Sequence, residues 1–188
     1  MYLLVTARKG ISSLQLAKEI GVTQKSAWFM LQRLREACGT KIEKLRGLVE
    51  IDETYVGGKE ANKHANLKLN RGRGAVGKQA VLGMRERGGQ TKAMHIPNAD
   101  LPTIQQAIHD HVEVGSQLFT DEHKAYSGLD GLFFHHQAIN HSGGEYGRGL
   151  VTTNSIESVW ALLKRGITGV YHHTSKKHLN RYVNEFTF

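Results

Sequence analysis

Apolar residues first recur at helical spacing. After Ser12 and Ser13, either able to cap a helix, Leu14, Leu16, Ala17 and Ile20 follow a 3.6-residue period until Gly21 interrupts it. Thr23 then opens a second helix with Ala27, Met30, Leu31 and Leu34 on one face. Two short helices joined by Glu19-Ile-Gly-Val-Thr23 predict a small helix-turn-helix segment within residues 1–40. The second helix carries Gln24, Lys25, Gln32, Arg33 and Arg35, residue types that contact phosphates and base edges. The bland alternative is a helical hairpin with a solvated basic face.

Beyond a linker at Gly39–Arg46 the period changes. Gly47–Val56 nearly alternates and predicts a strand, and Gln79–Arg87 with Thr91–Ile96 predicts a hairpin across Gly88-Gly89. Leu101–His111 is helical, with Ile104, Ala107 and Ile108 in phase and Pro102 in its first turn. Gln117–Thr120 is a short buried strand ending at Asp121, followed by a brief helix over Glu122–Tyr126 and another strand over Leu132–His136. Gln137–Val151 is polar and Gly-rich, hence loop; Asn154–Arg165 and Ser175–Phe188 are helices. The order over residues 45–188 (three strands, helix, strand, helix, strand, helices) predicts an α/β fold with a mixed sheet flanked by helices. Residues 57–78 have no apolar period and set Lys59, Lys63, Lys68, Arg71, Arg73 and Lys78 against Glu60 alone. That stretch reads as a long mobile loop, either a flexible DNA-binding arm or a solvated insertion.

Composition narrows the class. Of 188 residues, 25 are Lys or Arg and 17 are Asp or Glu, a formal charge of +8 that favours a polyanionic partner such as nucleic acid. Cys38, the one cysteine, excludes a disulfide within the chain and a Cys-rich zinc site, and suits a reducing cytosol. The apolar runs are too short to cross a bilayer, and Met1–Lys9 lacks the layout of a signal peptide. A cytoplasmic, nucleoid-associated protein with no membrane partner is the expectation.

Three residues draw the eye to chemistry. Asp52 sits in an apolar strand, where a carboxylate is costly unless a metal or a basic group compensates it; an edge strand with one polar face is the bland account. Glu50, Asp52 and Thr54 share one face of that strand, and Ile51, Glu53 and Tyr55 the other. Asp121 stands where a strand ends, the place where open α/β sheets gather functional groups, and it can equally cap the turn that follows. Glu157 and Lys164, two turns apart, share a helix face, while Ile156, Val159, Trp160 and Leu163 form the buried one. Asn154 with Glu157 also fits a capping box. The histidines at 135, 136, 141, 172 and 173 match no zinc spacing; His141 could line a site, though surface positions are the commoner outcome.

Together Val49–Gly58, Leu118–Tyr126 and Thr153–Gly166, with Gly169–His173 and Lys177–Phe186, resemble the catalytic blocks of ISXO-like insertion-sequence transposases, in order, over about residues 45–188. The resemblance implies a ribonuclease-H-like fold, a DDE active site, and Mg-dependent phosphodiester hydrolysis and strand transfer at the ends of an insertion sequence. It matches Asp52 and Asp121 to the two catalytic aspartates, with Glu157 the third ligand and Asn154 the alternative. It implies two Mg²⁺ ions, for which Mn²⁺ can substitute, held by Asp52, Asp121 and Glu157. Double-stranded DNA at transposon ends and target is the implied partner, with a homo-oligomer assembled on it. Lys164 and Arg165 would meet the DNA backbone, with Lys25, Arg33, Arg71, Arg73 and Lys78 as further contacts. Relatives carry a Cys-based zinc ribbon ahead of the helix-turn-helix and continue past the last helix, so a truncated, inactive copy that only binds DNA is one expectation. A ribonuclease-H-like nuclease or resolvase without strand transfer, and a helix-turn-helix regulator, are the rivals.

Overall fold

β1 (Leu48–Val56) occupies the middle of a five-stranded sheet in a computed structural model that describes residues 1–39, 43–58, 60–69, 75–129, 135–140, 143–144 and 147–188. It pairs antiparallel with β2 (Gln79–Glu86) and parallel with β4 (Gln117–Asp121). β3 (Thr91–Ile96) runs antiparallel on β2, and β5 (His135–Ile139) runs parallel on β4, giving the order β3-β2-β1-β4-β5. That order and those directions make a mixed sheet, as the pattern of elements predicts.

Alternation along β1 sends side chains to two different layers. Val49 and Ile51 join Leu82, Met84 and Leu118 against Ile104 and Ile108 of one helix, Leu101–His111. Val56 and Val81 pack on the other face against Ile156, Val159, Trp160 and Leu163 of a helix at Asn154–Gly166, and against Leu179 and Val183 of the C-terminal helix, Leu179–Thr187. Each such side chain contributes about 1.5–3 kcal/mol of burial, an upper figure. In chain order the helices are α1 (Tyr2–Thr6), α2 (Ser13–Ile20), α3 (Gln24–Cys38), α4 (Leu101–His111), α5 (Asn154–Gly166) and α6 (Leu179–Thr187).

The N-terminal unit forms as its caps dictate. Ser12 Oγ accepts from the Gln15 amide at 3.1 Å and Thr23 Oγ1 from the Ser26 amide at 3.2 Å, while Gly21 ends α2 in the left-handed region at φ 69°. α1, absent from the periodicity reading, adds Leu4 to a cluster of Ile11, Leu16, Ala17, Ala27, Leu31 and Cys38. Two expectations are corrected here. Leu14, Ile20 and Met30 are exposed, because α2 and α3 bury only a narrow stripe against each other. Gln32 and Arg35 are buried and so unavailable to DNA: α3 has a second inward stripe against α6. There Arg35 Nε meets Glu185 Oε2 at 2.6 Å, with the guanidinium over the Tyr182 ring at 4.3 Å.

Two further elements depart from expectation. The strand anticipated at 132–136 lies at His135–Ile139, with 131–134 outside the described residues; as an edge strand with only Ile139 buried, it carries little apolar signal. Within 57–78, 3₁₀ turns form at Glu60–Asn62 and Ala65–Leu67, and the Glu60 carboxylate accepts from the Leu69 amide and pairs with Lys63. Lys68 is exposed and Lys78 half-buried; Arg71 and Arg73 lie outside the described residues, as does His141. Among the described residues no helix is long and apolar enough to cross a membrane.

Candidate active site

Asp52, at the middle of β1, points toward α5, and Trp160 Nε1 donates to its Oδ2 at 2.9 Å. The indole lies over Gly83, the residue paired with Asp52 on β2. A Cβ there would stand 2.3 Å from Trp160 Cζ2, so only glycine admits the ring. Burial, then the charges of Glu53 and Asp121, push the Asp52 carboxyl up to about 7, against the pull of the Trp160 hydrogen bond.

Asp121 closes β4. The parallel register Leu48↔Gln117 to Glu50↔Phe119, continued by two residues, brings Asp121 level with Asp52 on the same sheet face. Its Oδ1 also accepts from the His123 amide at 3.0 Å, so the turn-capping reading holds alongside. On the opposite face of β1, Glu53 accepts a hydrogen bond from the Tyr126 hydroxyl and stands 3.4 Å from His123 Nδ1. Burial and the nearby Asp121 charge raise Glu53, with the Tyr126 hydrogen bond opposing.

α5 is anchored from β1. Glu50 Oε2 accepts from the amides of Ser155 at 2.8 Å and Ile156 at 3.1 Å, occupying the helix N-terminus with a buried negative charge. Arg87 balances that charge at 2.7 Å and reaches the Leu150 carbonyl at 2.7 Å, tying down the segment before the helix. The anticipated capping box is thereby corrected. Thr153 precedes the helix, Asn154 is its exposed first residue, and the Thr153 hydroxyl donates to Glu157 Oε1 at 2.8 Å.

Asp52, Glu53, Thr54, Glu157, Trp160, Ala161 and Lys164 line one open cleft of about 340 Å³, with Asp121 outside that lining. The structure thus brings Asp52 together with Glu157 and Lys164, and Asp121 within reach of Asp52 by charge. Asn154 and Arg165 are exposed on α5 and do not line the cleft, and Lys25 and Arg33 are exposed on α3, with Arg33 over the Phe29 ring at 5.0 Å. Among the described residues, no three His, Cys, Asp or Glu side chains stand close enough together to form a ready metal cluster. The donor chemistry nevertheless fits a hard divalent cation: the carboxylates offer oxygen ligands, and the burial and then the neighbouring negative charges that lift Asp52 are what such an ion offsets.

Sequence reasoning missed Glu50, Gly83, Arg87 and Tyr126, and took Trp160 for core alone. The one usable signal was Glu50 sharing a strand face with Asp52; nothing local marks Gly83 or Arg87 as neighbours of that face.

The sequence profile of the ISXO2-like transposase domain matches residues 44–188. An uncharacterized protein in transposable element ISH50 of Halobacterium salinarum is 31% identical over 191 residues, covering 95% of this chain. The chain spans 64% of that relative's length. A chain of the simian T-cell lymphotropic virus intasome in complex with PP2A regulatory subunit B56 gamma aligns at a TM-score of 0.39 and 14% identity, over 94% of this chain and 61% of that one. At that score the likeness adds no weight to the sheet topology.

Proposed function

The chain belongs to the ISXO2-like transposase family, and on that premise we propose that it carries the catalytic machinery of a DNA transposase. The reaction is hydrolysis of a phosphodiester at an insertion-sequence end, followed by attack of the freed 3′ hydroxyl on target DNA. The observation that supports this best is the cleft where Asp52 of β1 meets Glu157 and Lys164 of α5, with Asp121 at the end of the neighbouring parallel strand, near enough for its charge to act on Asp52.

In this reading Asp52 and Asp121 hold Mg²⁺ or Mn²⁺, with Glu157 the third ligand and Asn154 the alternative. Two such ions supply charge neutralisation at the phosphate and activation of the attacking oxygen. The chain's own residues do the positioning. Trp160 fixes one oxygen of Asp52, the Glu50 anchor sets the height of α5 over β1, and Lys164 presents a cation at the cleft for a DNA phosphate. Duplex DNA is the partner, with copies of the chain assembling on it.

The test is a cleavage assay with Mg²⁺ on duplexes that carry the element's ends. Asp52→Asn should lose more activity than the roughly 10–100-fold expected from an outer-shell partner. Equal nicking by wild type and variant sinks the proposal, and tight DNA binding without metal-dependent cleavage points to a regulator instead. Cleavage without joined products points to a hydrolytic nuclease.

A further inference from the structure

The 27 residues 158–184 contain no Asp or Glu, yet carry Lys164, Arg165, Lys176, Lys177 and Arg181, with His172, His173 and His178 among them. Five of the chain's positive charges are thus gathered in one acid-free stretch, although the net charge of the whole is only +8.

Its path is built, not loose. α5 runs into a π-helical turn at Ile167–Tyr171, His172 reverses the chain at φ 58°, and a 3₁₀ turn at Lys176–His178 leads into α6. His172, His173, Lys176 and Lys177 are all exposed. His172 accepts a rare left-handed backbone with Nδ1 3.1 Å from the Thr168 carbonyl oxygen, which holds the reversal in place. Lys164, near the start of the stretch, lines the cleft, and the later turn stands beside the same sheet face. The His95 amide donates to Asn180 Oδ1 at 2.6 Å, which sets the start of α6, just past the Lys176–His178 turn, beside His95. His95 pairs across β2 Val81 with Thr54, which lines the cleft. Two strand spacings put His95 on the order of 10 Å from Thr54, on the same face, about three base-pair steps of duplex. The same Lys176–His178 turn touches α3, where the His178 ring meets Trp28 edge-on at 5.6 Å.

We propose that His172, His173, Lys176 and Lys177, continuing Lys164 and Arg165, form a ledge that holds the phosphate backbone of duplex DNA between the Asp52 cleft and α3. The proposal rests on the transposase reading, for which it names the route of the flanking duplex. It assigns to this ledge a part of the DNA-binding charge that the 57–78 segment alone would otherwise carry.

Binding of the full chain to a 30-bp duplex, without divalent ions and across a salt series, tests it. The Lys176→Gln/Lys177→Gln variant should flatten the slope of log K against log [salt] by about 0.9 per lost contact, near 1.8 in all. Lys176→Arg/Lys177→Arg should restore the wild-type slope. Lys44→Gln, whose ammonium donates to the His109 carbonyl at 2.7 Å, should leave it unchanged. An unaltered slope in the Gln variant overturns the ledge and marks a merely solvated face; Asp52-dependent nicking would still stand. Absence of duplex binding by wild type overturns both.

Discussion

Asp52 is held between opposing influences, and their balance is measurable. In the folded chain, burial and two neighbouring carboxylates keep its proton on until about pH 7, whereas an unfolded Asp releases it near 4. Between those values the folded state binds more protons than the unfolded one, so this group's stabilisation is full below about pH 4 and is lost as pH rises through about 7. Calorimetry without metal should therefore find Asp52→Asn gaining on wild type as pH rises across that window, with Mg²⁺ closing the gap by raising wild type alone. A constant difference between the two across the window would refute the assignment. Trp160→Phe keeps the ring over Gly83 but removes the donor, for a cost of about 1–3 kcal/mol. Because that hydrogen bond holds Asp52 down, the acid limb of the cleavage pH profile should move upward in the variant.

At the scale of the element, α5 owes its position to Glu50 and Gly83. Glu50→Gln removes the charge at the helix N-terminus and leaves Arg87 without its carboxylate, so urea unfolding should show a loss of about 3–5 kcal/mol. Gly83→Ala puts a methyl group into the Trp160 ring and should cost about 1–3 kcal/mol, with cleavage falling further than stability because the indole that moves is the one bonded to Asp52. The elements themselves were largely legible. α4 starts and ends where Pro102 and the Ile104, Ala107, Ile108 period place it, and β1 is nearly the alternating run. β5 was not legible, because an edge strand with one buried side chain has no period to read. α1 is five residues long, too short for a helical repeat to stand out.

For the whole molecule, the N-terminal helices and the sheet are joined by α3 on α6. Arg35→Met strands the buried Glu185 carboxylate and should lower stability by about 3–5 kcal/mol, while replacing Glu185 by Gln as well should recover much of it. Thermal melts of the single and double variants decide whether the pair couples the units; additive losses would mean it does not.

What the sequence determined by itself was four strands of the sheet and its flanking helices, because apolar period and turn residues are local signals. Which charges face solvent was beyond it. Arg35 and Arg33 look alike in the chain, yet α6 buries the first and leaves the second exposed, since burial depends on a partner about 150 residues away. Glu50 and Asp52 likewise share a face and a residue class, and tertiary partners distinguish them: the open amides of α5 and the Arg87 guanidinium meet one carboxylate, while the other is buried against its acidic neighbours.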